Sequence, residues 1–372
     1  MLYLDHAATT AVDPAVLEAM LPALSEVFGN PASVHRAGQQ ARRLVERARE
    51  QVAEALGARP RQIVFTSGAT EADNQALRGV LAVGGGLITS PLEHAAVLTT
   101  ARALEATGTA VIYLAPDPDG SVPLHGLERA LDEAPDTRLV ALMAVNNETG
   151  VTTDIATSAA IAHRHGAWLF CDAVQAFGIE PIDVVAWGVD LLAVSAHKVH
   201  GPKGAGALYL ADGVDVAPLL TGGHQERGLR PGTHATPAIV GLGAAAAAAT
   251  AALPERREAV RRARDAFEAQ ALTIGGVRVN GGDAPRSVKH SNLQVAGVDG
   301  ETLLLALDDL GVRASAGSAC AAGSVEPSHV LLAMGMAPAD ARASVRFSFA
   351  PTGVSAALAG LVTGAVLGAS VP

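Results

Sequence analysis

From residue 13 to about residue 215 the chain repeats one pattern, an apolar run that ends abruptly in polar residues and is followed by an amphipathic segment. The runs are "QIVFTSGAT" (62–70), "GGLITSPLEH" (85–94), "AVIYLAP" (110–116), "RLVALMAVNNETG" (138–150), "AWLFCDAVQ" (167–175) and "VDLLAVSAHK" (189–198). Between them lie segments with helical spacing and charged faces, such as "ARRLVERAREQVAEAL" (41–56). Continuous apolar strands alternating with helices predict a mainly parallel sheet covered on both faces. In open sheets of that kind ligands gather at the carboxyl ends of the strands. The polar residues that close each run therefore mark the expected site.

The texture changes near residue 250. "LPERREAVRRARDAFEAQAL" (253–272) reads as a long charged helix, followed by the strand-like "GVRVNGG" and "HSNLQVAG", a helix over 301–310, and "ARASVRFSFAP". This predicts a large α/β domain over residues 13–250 and a smaller α+β domain from residues 1–12 and 251–372. The run of six alanines at 244–249 favours a packed helix over a linker. With 49% hydrophobic residues but only 3% aromatics, the core must be aliphatic, and no stacking platform for single-stranded nucleic acid is available.

A formal net charge of −10 argues against binding nucleic acid through the general field. Two cysteines cannot build a disulfide framework, which points to a reducing, cytoplasmic setting. "MLYLDHAATT" has neither the basic nor the apolar region of a signal peptide. The terminal "LAGLVTGAVLGASVP" is too short for a membrane span and reads as a buried helix.

Against 24 arginines the chain has three lysines, Lys198, Lys203 and Lys289, and two of them fall in "SAHKVHGPKG" (195–204). Arginine cannot form a Schiff base; lysine can. Lys198 closes one apolar run and Asp172 closes the preceding one. A lysine and an aspartate at neighbouring strand ends suit pyridoxal phosphate, the lysine on its aldehyde and the aspartate on its ring nitrogen. An ordinary strand-end ion pair accounts for these two residues equally well. "TSGAT" (66–70) leads from a strand into a helix, and its amides with the Thr70 hydroxyl suit a phosphate, although such turns also serve as plain caps. His94 ends another run and could cover a flat ring or carry a proton; a lone histidine is more often structural. Cys320 sits in "SAGSACAAGS" (315–324), among Ser, Ala and Gly only, whereas Cys171 lies in an apolar strand. Small residues of this kind build a loop able to move.

The ordered series "YLDHAATT", "GNPASVHRAG", "FTSGATEADN", "EHAAVL", "VNNETG", "DAVQAFG", "SAHKVHGPKG", "GGHQERGLRPGT" and "SAGSACAAGSVEPSHVL" spans nearly the whole chain and resembles the cysteine desulfurases. These are pyridoxal-phosphate enzymes of the class V aminotransferase group. The resemblance implies fold type I, with a mainly parallel seven-stranded sheet and a smaller C-terminal α+β part. It implies that Lys198 holds the cofactor, Asp172 pairs with the pyridine nitrogen, and Gln175 and Asn147 contact ring substituents. His94 would cover the ring and move protons. Ala69, Thr70, Ser195 and His197 would hold the phosphate, joined by Thr233 from a second subunit of a homodimer. Asn30 and Arg346 would take the carboxylate of L-cysteine. Cys320 would receive the sulfur as a persulfide, leave alanine behind, and carry the sulfur to an acceptor protein. No metal and no membrane contact is implied. Pro231 and His200 stand where the family often has a serine and a bulky aromatic.

Three other readings use parts of this set. A selenocysteine lyase would share fold and cofactor, an aminotransferase would leave Cys320 unused, and a non-catalytic sulfur carrier would leave Lys198, Asp172, His94 and Gln175 unused. Iron–sulfur assembly, tRNA thiolation and DNA thio-modification stay open as destinations of the sulfur.

Overall fold

The structure is a computed structural model and describes residues 1–317 and 326–351. Cys320 and the apolar C-terminal stretch lie outside the described residues.

The chain opens with a short strand, β1 (Leu2–Tyr3), and then builds a seven-stranded sheet. Its strands are β2 (Ile63–Thr66), β3 (Gly86–Thr89), β4 (Val111–Tyr113), β5 (Thr137–Met143), β6 (Trp168–Asp172), β7 (Leu191–Ser195) and β8 (Gly206–Leu210), in the order β2-β8-β7-β6-β5-β3-β4. The pairs from β7 through β6, β5 and β3 to β4 are parallel, as predicted. β8 runs antiparallel to both β7 and β2. The link from Ser195 to Gly206 is too short for a crossover helix, so β8 can only return antiparallel.

Strand alternation sorts side chains to two faces. Leu139, Ala141, Phe170, Leu191 and Ala193 pack toward the helices Ala69–Leu81 and Ala95–Glu105. Val140, Leu142, Leu169, Cys171, Leu192 and Val194 pack toward helices on the other face, including Arg36–Leu56 and Ile155–Arg164. The alanine run lies in the helix Thr236–Ala251, where Ala245, Ala246 and Ala249 are buried. This helix approaches its neighbour so closely that a Cβ on Gly243 would lie 2.6 Å from the Cα of Ala48. Small side chains are what permit that contact. The helix over 36–56 begins five residues before the amphipathic pattern does, because the His35 ring accepts a hydrogen bond from the Gly38 amide and caps its start.

Beyond residue 253 the helix Leu253–Ala271 turns 77° from its predecessor. An antiparallel three-stranded sheet follows, β9 (Val277–Val279), β10 (His290–Val295) and, after the two-residue β11 (Val312–Arg313), β12 (Ser344–Ser348), in the order β12-β10-β9. Its own apolar cluster joins Val260, Phe267, Leu293, Leu303, Val345 and Phe347. β1 pairs parallel with β11, and Asp5 bridges to Ser348, so the chain's first residues sit on this later sheet. From there residues 7–10 cross to the carboxyl ends of the large sheet, where the Thr10 amide donates to the His197 carbonyl. Among the described residues no single helix is long and apolar enough to cross a membrane.

Candidate active site

Two neighbouring strands of the large sheet end together. Asp172 is the last residue of β6, Ser195 the last of β7, and Lys198 follows one short turn later. With the start of the helix Ala69–Leu81 they enclose a cavity of about 540 Å³. Ala69, Thr70, His94, Asn147, Asp172, Gln175, Ser195, His197, Lys198 and Arg346 all line it. These residues come from separate segments of the sequence, and the topology of a parallel sheet gathers them at one edge.

The Lys198 ammonium donates to the carbonyls of Ala7 at 2.5 Å and Ala8 at 2.7 Å. The crossing segment of residues 7–10 thereby fixes the side chain beside Asp172. Gln175 donates to the same Ala7 carbonyl at 2.9 Å and leaves its own carbonyl oxygen buried without a partner among the described residues. The Asn147 side-chain oxygen is likewise buried and unmatched. Such atoms carry a desolvation cost unless a ligand meets them.

Asp172 accepts from the Val174 amide at 2.9 Å. Burial pushes its carboxyl above the usual range, and the nearby His94 and Lys198 oppose that shift. His94 caps the helix Ala95–Glu105, its Nδ1 accepting from the Ala96 amide at 3.2 Å. That bond leaves the proton of the neutral ring on Nε2. Burial lowers the His94 pKa and favours the neutral ring.

No side chain caps the helix Ala69–Leu81, so its first amides are left for an anion. The turn before it rests on β8: a Cβ on Gly206 would lie 2.7 Å from the Cα of Gly68. His197 and Lys203 line the cavity together with that turn. Pyridoxal phosphate fits these residues. The uncapped helix start, Ser195 and His197 match its phosphate, Asp172 its ring nitrogen, Lys198 its aldehyde, and the unmatched Asn147 and Gln175 oxygens its polar substituents.

Arg346, on β12, is 2% exposed. It donates to the Asn147 carbonyl at 2.8 Å and to the Asp5 carboxylate at 2.7 Å, and its Nε is buried without a partner among the described residues. Asn30 and Thr233 do not line this cavity; both are exposed. The structure brings their segments together elsewhere, since Pro31, Ala32 and His234 line a second hollow of about 680 Å³. The residues flanking Cys320 lie near the first cavity. Ser315 exchanges backbone hydrogen bonds with Arg346, and Ser328 donates to the Glu148 carboxylate at 2.5 Å. A Cβ on Gly317 would stand 3.0 Å from that same carboxylate.

Sequence reasoning missed Asp73 and Glu93. Asp73 lines the cavity, is fully buried, and has neither carboxylate oxygen paired among the described residues. Glu93 accepts from the Met143 amide at 2.8 Å and leaves its second oxygen unmatched. Burial, then the mutual repulsion of these acids and Asp172, raises the pKa of both well above the usual range. The only sequence signal was position: each acid falls inside a motif already singled out, "FTSGATEADN" and "EHAAVL". Among the described residues no group of three or more His, Cys, Asp or Glu side chains could hold a metal ion.

The chain is similar to known proteins over nearly its whole length. The aminotransferase class-V family profile matches residues 2–356. A cysteine desulfurase IscS from Shewanella pealeana is 46% identical over 356 residues, covering 93% of this chain and 87% of that protein. A solved NifS-like protein superimposes with a TM-score of 0.91 at 34% identity, covering 98% of each chain. SspA, solved in complex with cysteine, superimposes with a TM-score of 0.84 at 37% identity over 95% of this chain and all of that one.

Proposed function

The chain belongs to the aminotransferase class-V family as one of its pyridoxal-phosphate-dependent cysteine desulfurases, and from that membership we propose how its residues divide the conversion of L-cysteine to L-alanine. Nine residues named from the sequence as cofactor contacts line one cavity, with Lys198 and Asp172 at adjoining strand ends; that convergence carries the assignment.

Pyridoxal phosphate supplies an aldehyde that joins amines and a ring that accepts the electrons of the substrate's Cα. Lys198 holds the cofactor and, when displaced by substrate, takes the proton from Cα. Asp172, at the end of β6 and facing the cavity, would pair with the ring nitrogen and keep it protonated. His94, neutral with Nε2 available, covers the ring and moves a proton. Ala69, Thr70, Ser195 and His197 hold the phosphate. Arg346 binds the substrate carboxylate by releasing Asp5 or by using its unmatched Nε. The Cys320 thiolate attacks the substrate sulfur: the S–S bond of the persulfide forms as the substrate's Cβ–S bond breaks, the electron pair stays with Cβ and is protonated to the methyl group of alanine, and the outer sulfur passes to an acceptor protein. Both flanks of its segment adjoin residues beside the cavity, Arg346 on one side and Glu148 on the other, which supports that role.

The working unit in this reading is a homodimer. Asn30 and Thr233 are exposed and share a region with the second hollow, so each serves the site of the partner chain. Leu21, Leu24, Phe28 and Val34 are exposed apolar side chains on the adjoining surface, with Phe28 79% exposed. Residues 13–250 form the cofactor-bearing unit, and residues 1–12 with 251–372 form the smaller one, a division supported by their separate apolar clusters. With only two cysteines, the protein is placed in the reducing cytoplasm.

The test is a mass measurement. Protein loaded with cofactor and given L-cysteine should gain one sulfur atom on the Cys320 peptide and release alanine. Cys320→Ser should keep the colour of bound cofactor and gain no sulfur; a Cys320→Ser protein with full sulfide production would remove Cys320 from the mechanism.

A further inference from the structure

Lys289 is the one lysine of three that the cavity lining does not include. It immediately precedes β10 and is 5% exposed. Its ammonium lies 3.5 Å from the backbone carbonyl of Lys198, the one hydrogen bond it makes among the described residues, and no acid there forms an ion pair with it.

Basic side chains and imidazoles surround it. From the turn over 195–200 come Lys198, His197 and His200; from the N-terminal segment, His6. Arg256 approaches from the helix Leu253–Ala271 and Arg346 from β12, and His290, next in sequence, opens β10. Asp5 alone opposes them, and its carboxylate is already bound to Arg346 at 2.7 Å. Lys289, Lys198, His6, His200 and Arg256 line a void of about 20 Å³, room for one water. Burying an ammonium in such company is costly without a counter-ion.

We propose that Lys289 is a positioning residue for Lys198: lodged against its backbone among Arg256, Arg346 and neutral imidazoles, with no free acid beside it, its charge favours the unprotonated Lys198 nitrogen that must join and leave the cofactor. The inference rests on the desulfurase reading of the cavity. Burial, and next the charge of Lys198, lower the Lys289 pKa to about 7. The charge–charge part of that shift is reciprocal, so charged Lys289 lowers the proton affinity of Lys198 by as much as charged Lys198 lowers that of Lys289. A lysine beside a second cation is a recognised way to make an amine nucleophilic near neutrality.

The experiment is a pH titration of the visible absorbance of bound cofactor in the holoenzyme, with no turnover involved. Lys289→Met removes the charge at similar volume and should move the midpoint up by about half a pH unit or more. Lys289→Arg keeps the charge at every pH and should move it down. Equal midpoints in three coloured proteins, or the reverse order, would overturn the inference alone. A wild-type protein that binds no cofactor would overturn the cofactor reading and this inference with it. A second measurement does not need the arginine variant to fold. Holoenzyme labelled with carbon-13 at the lysine ε-carbon gives three signals, with the Lys289 signal identified by its loss in Lys289→Met. It should titrate far below the ~10.4 of an exposed lysine; titration at that ordinary value would refute the inference.

Discussion

Two buried charged regions of this protein are built on opposite rules. Beneath the turn over 224–228, Glu226 is matched on every side. Its carboxylate accepts from both terminal nitrogens of Arg49 at 2.7 Å, from His234 at 2.7 Å and from the Phe65 amide at 2.9 Å. Those bonds hold its carboxyl down at about 2, although burial alone would raise it. They also hold Glu226 and Arg227 at φ of +48° and +60°, a backbone region that costs about 1–3 kcal/mol per residue for side chains of this kind. At the cofactor cavity the matching stops. Asp73 and Glu93 have unmet oxygens beside Asp172, and Lys289 has no acid of its own. A buried cluster that closes on itself stabilises the fold. A cluster left open, with buried polar atoms unmet around a hollow, is prepared for a ligand that meets them.

Substitutions sharpen this contrast. Lys198→Ala should have the largest effect, with turnover falling on the order of 10⁴-fold or more. Borohydride should then link no cofactor to the protein; linkage to another lysine would mean that the open cluster is organised around a different residue. Asp172→Asn should come next, slowing Cα proton removal by about 10²–10³-fold while the melting temperature barely moves. Stopped-flow spectra of the cofactor give the rate directly, and a near-normal rate would show that another group protonates the ring.

Glu226→Gln should act on stability, costing about 3 kcal/mol in denaturant unfolding and leaving the turnover of folded protein intact. The wild-type carboxyl binds its proton near 2 in the fold, against 4.5 ordinarily. Between those values the unfolded chain holds more protons, so this contribution is complete above about pH 4.5 and is lost as the pH falls toward 2. Glu226→Gln should therefore flatten the acid limb of stability against pH; an unchanged limb would mean that the cluster is not what holds the turn. Asp73→Asn should have the smallest effect, about 0.5 kcal/mol or less, because burial already keeps Asp73 protonated and an amide has the same shape. A drop in stability of several kcal/mol would show that Asp73 carries a charge.

How far these regions could be read from sequence follows from what each depends on. Lys198, Asp172, His94 and the 66–70 turn end apolar runs, a local signal, and the parallel sheet did the rest. β8 was not foreseen as the antiparallel member, since strand direction there follows from the length of the Ser195–Gly206 link and not from its composition. Asp73, Glu93 and Lys289 are charged residues that sequence treats as surface; their burial is tertiary and leaves no mark in the spacing. Asn30 and Thr233 were named by resemblance, and neither lines the cavity in the single chain.

Cys171 has a practical bearing. It is fully buried at the centre of the seven-stranded sheet, on the face away from the helix Ala69–Leu81, and burial drives its thiol well above the ordinary range. A thiol in that state is closed to alkylating reagents while the sheet stays folded. The chain has only one other cysteine. Any thiol that reacts in the native protein therefore belongs to Cys320, and a thiol count needs no cysteine-free background for its assignment.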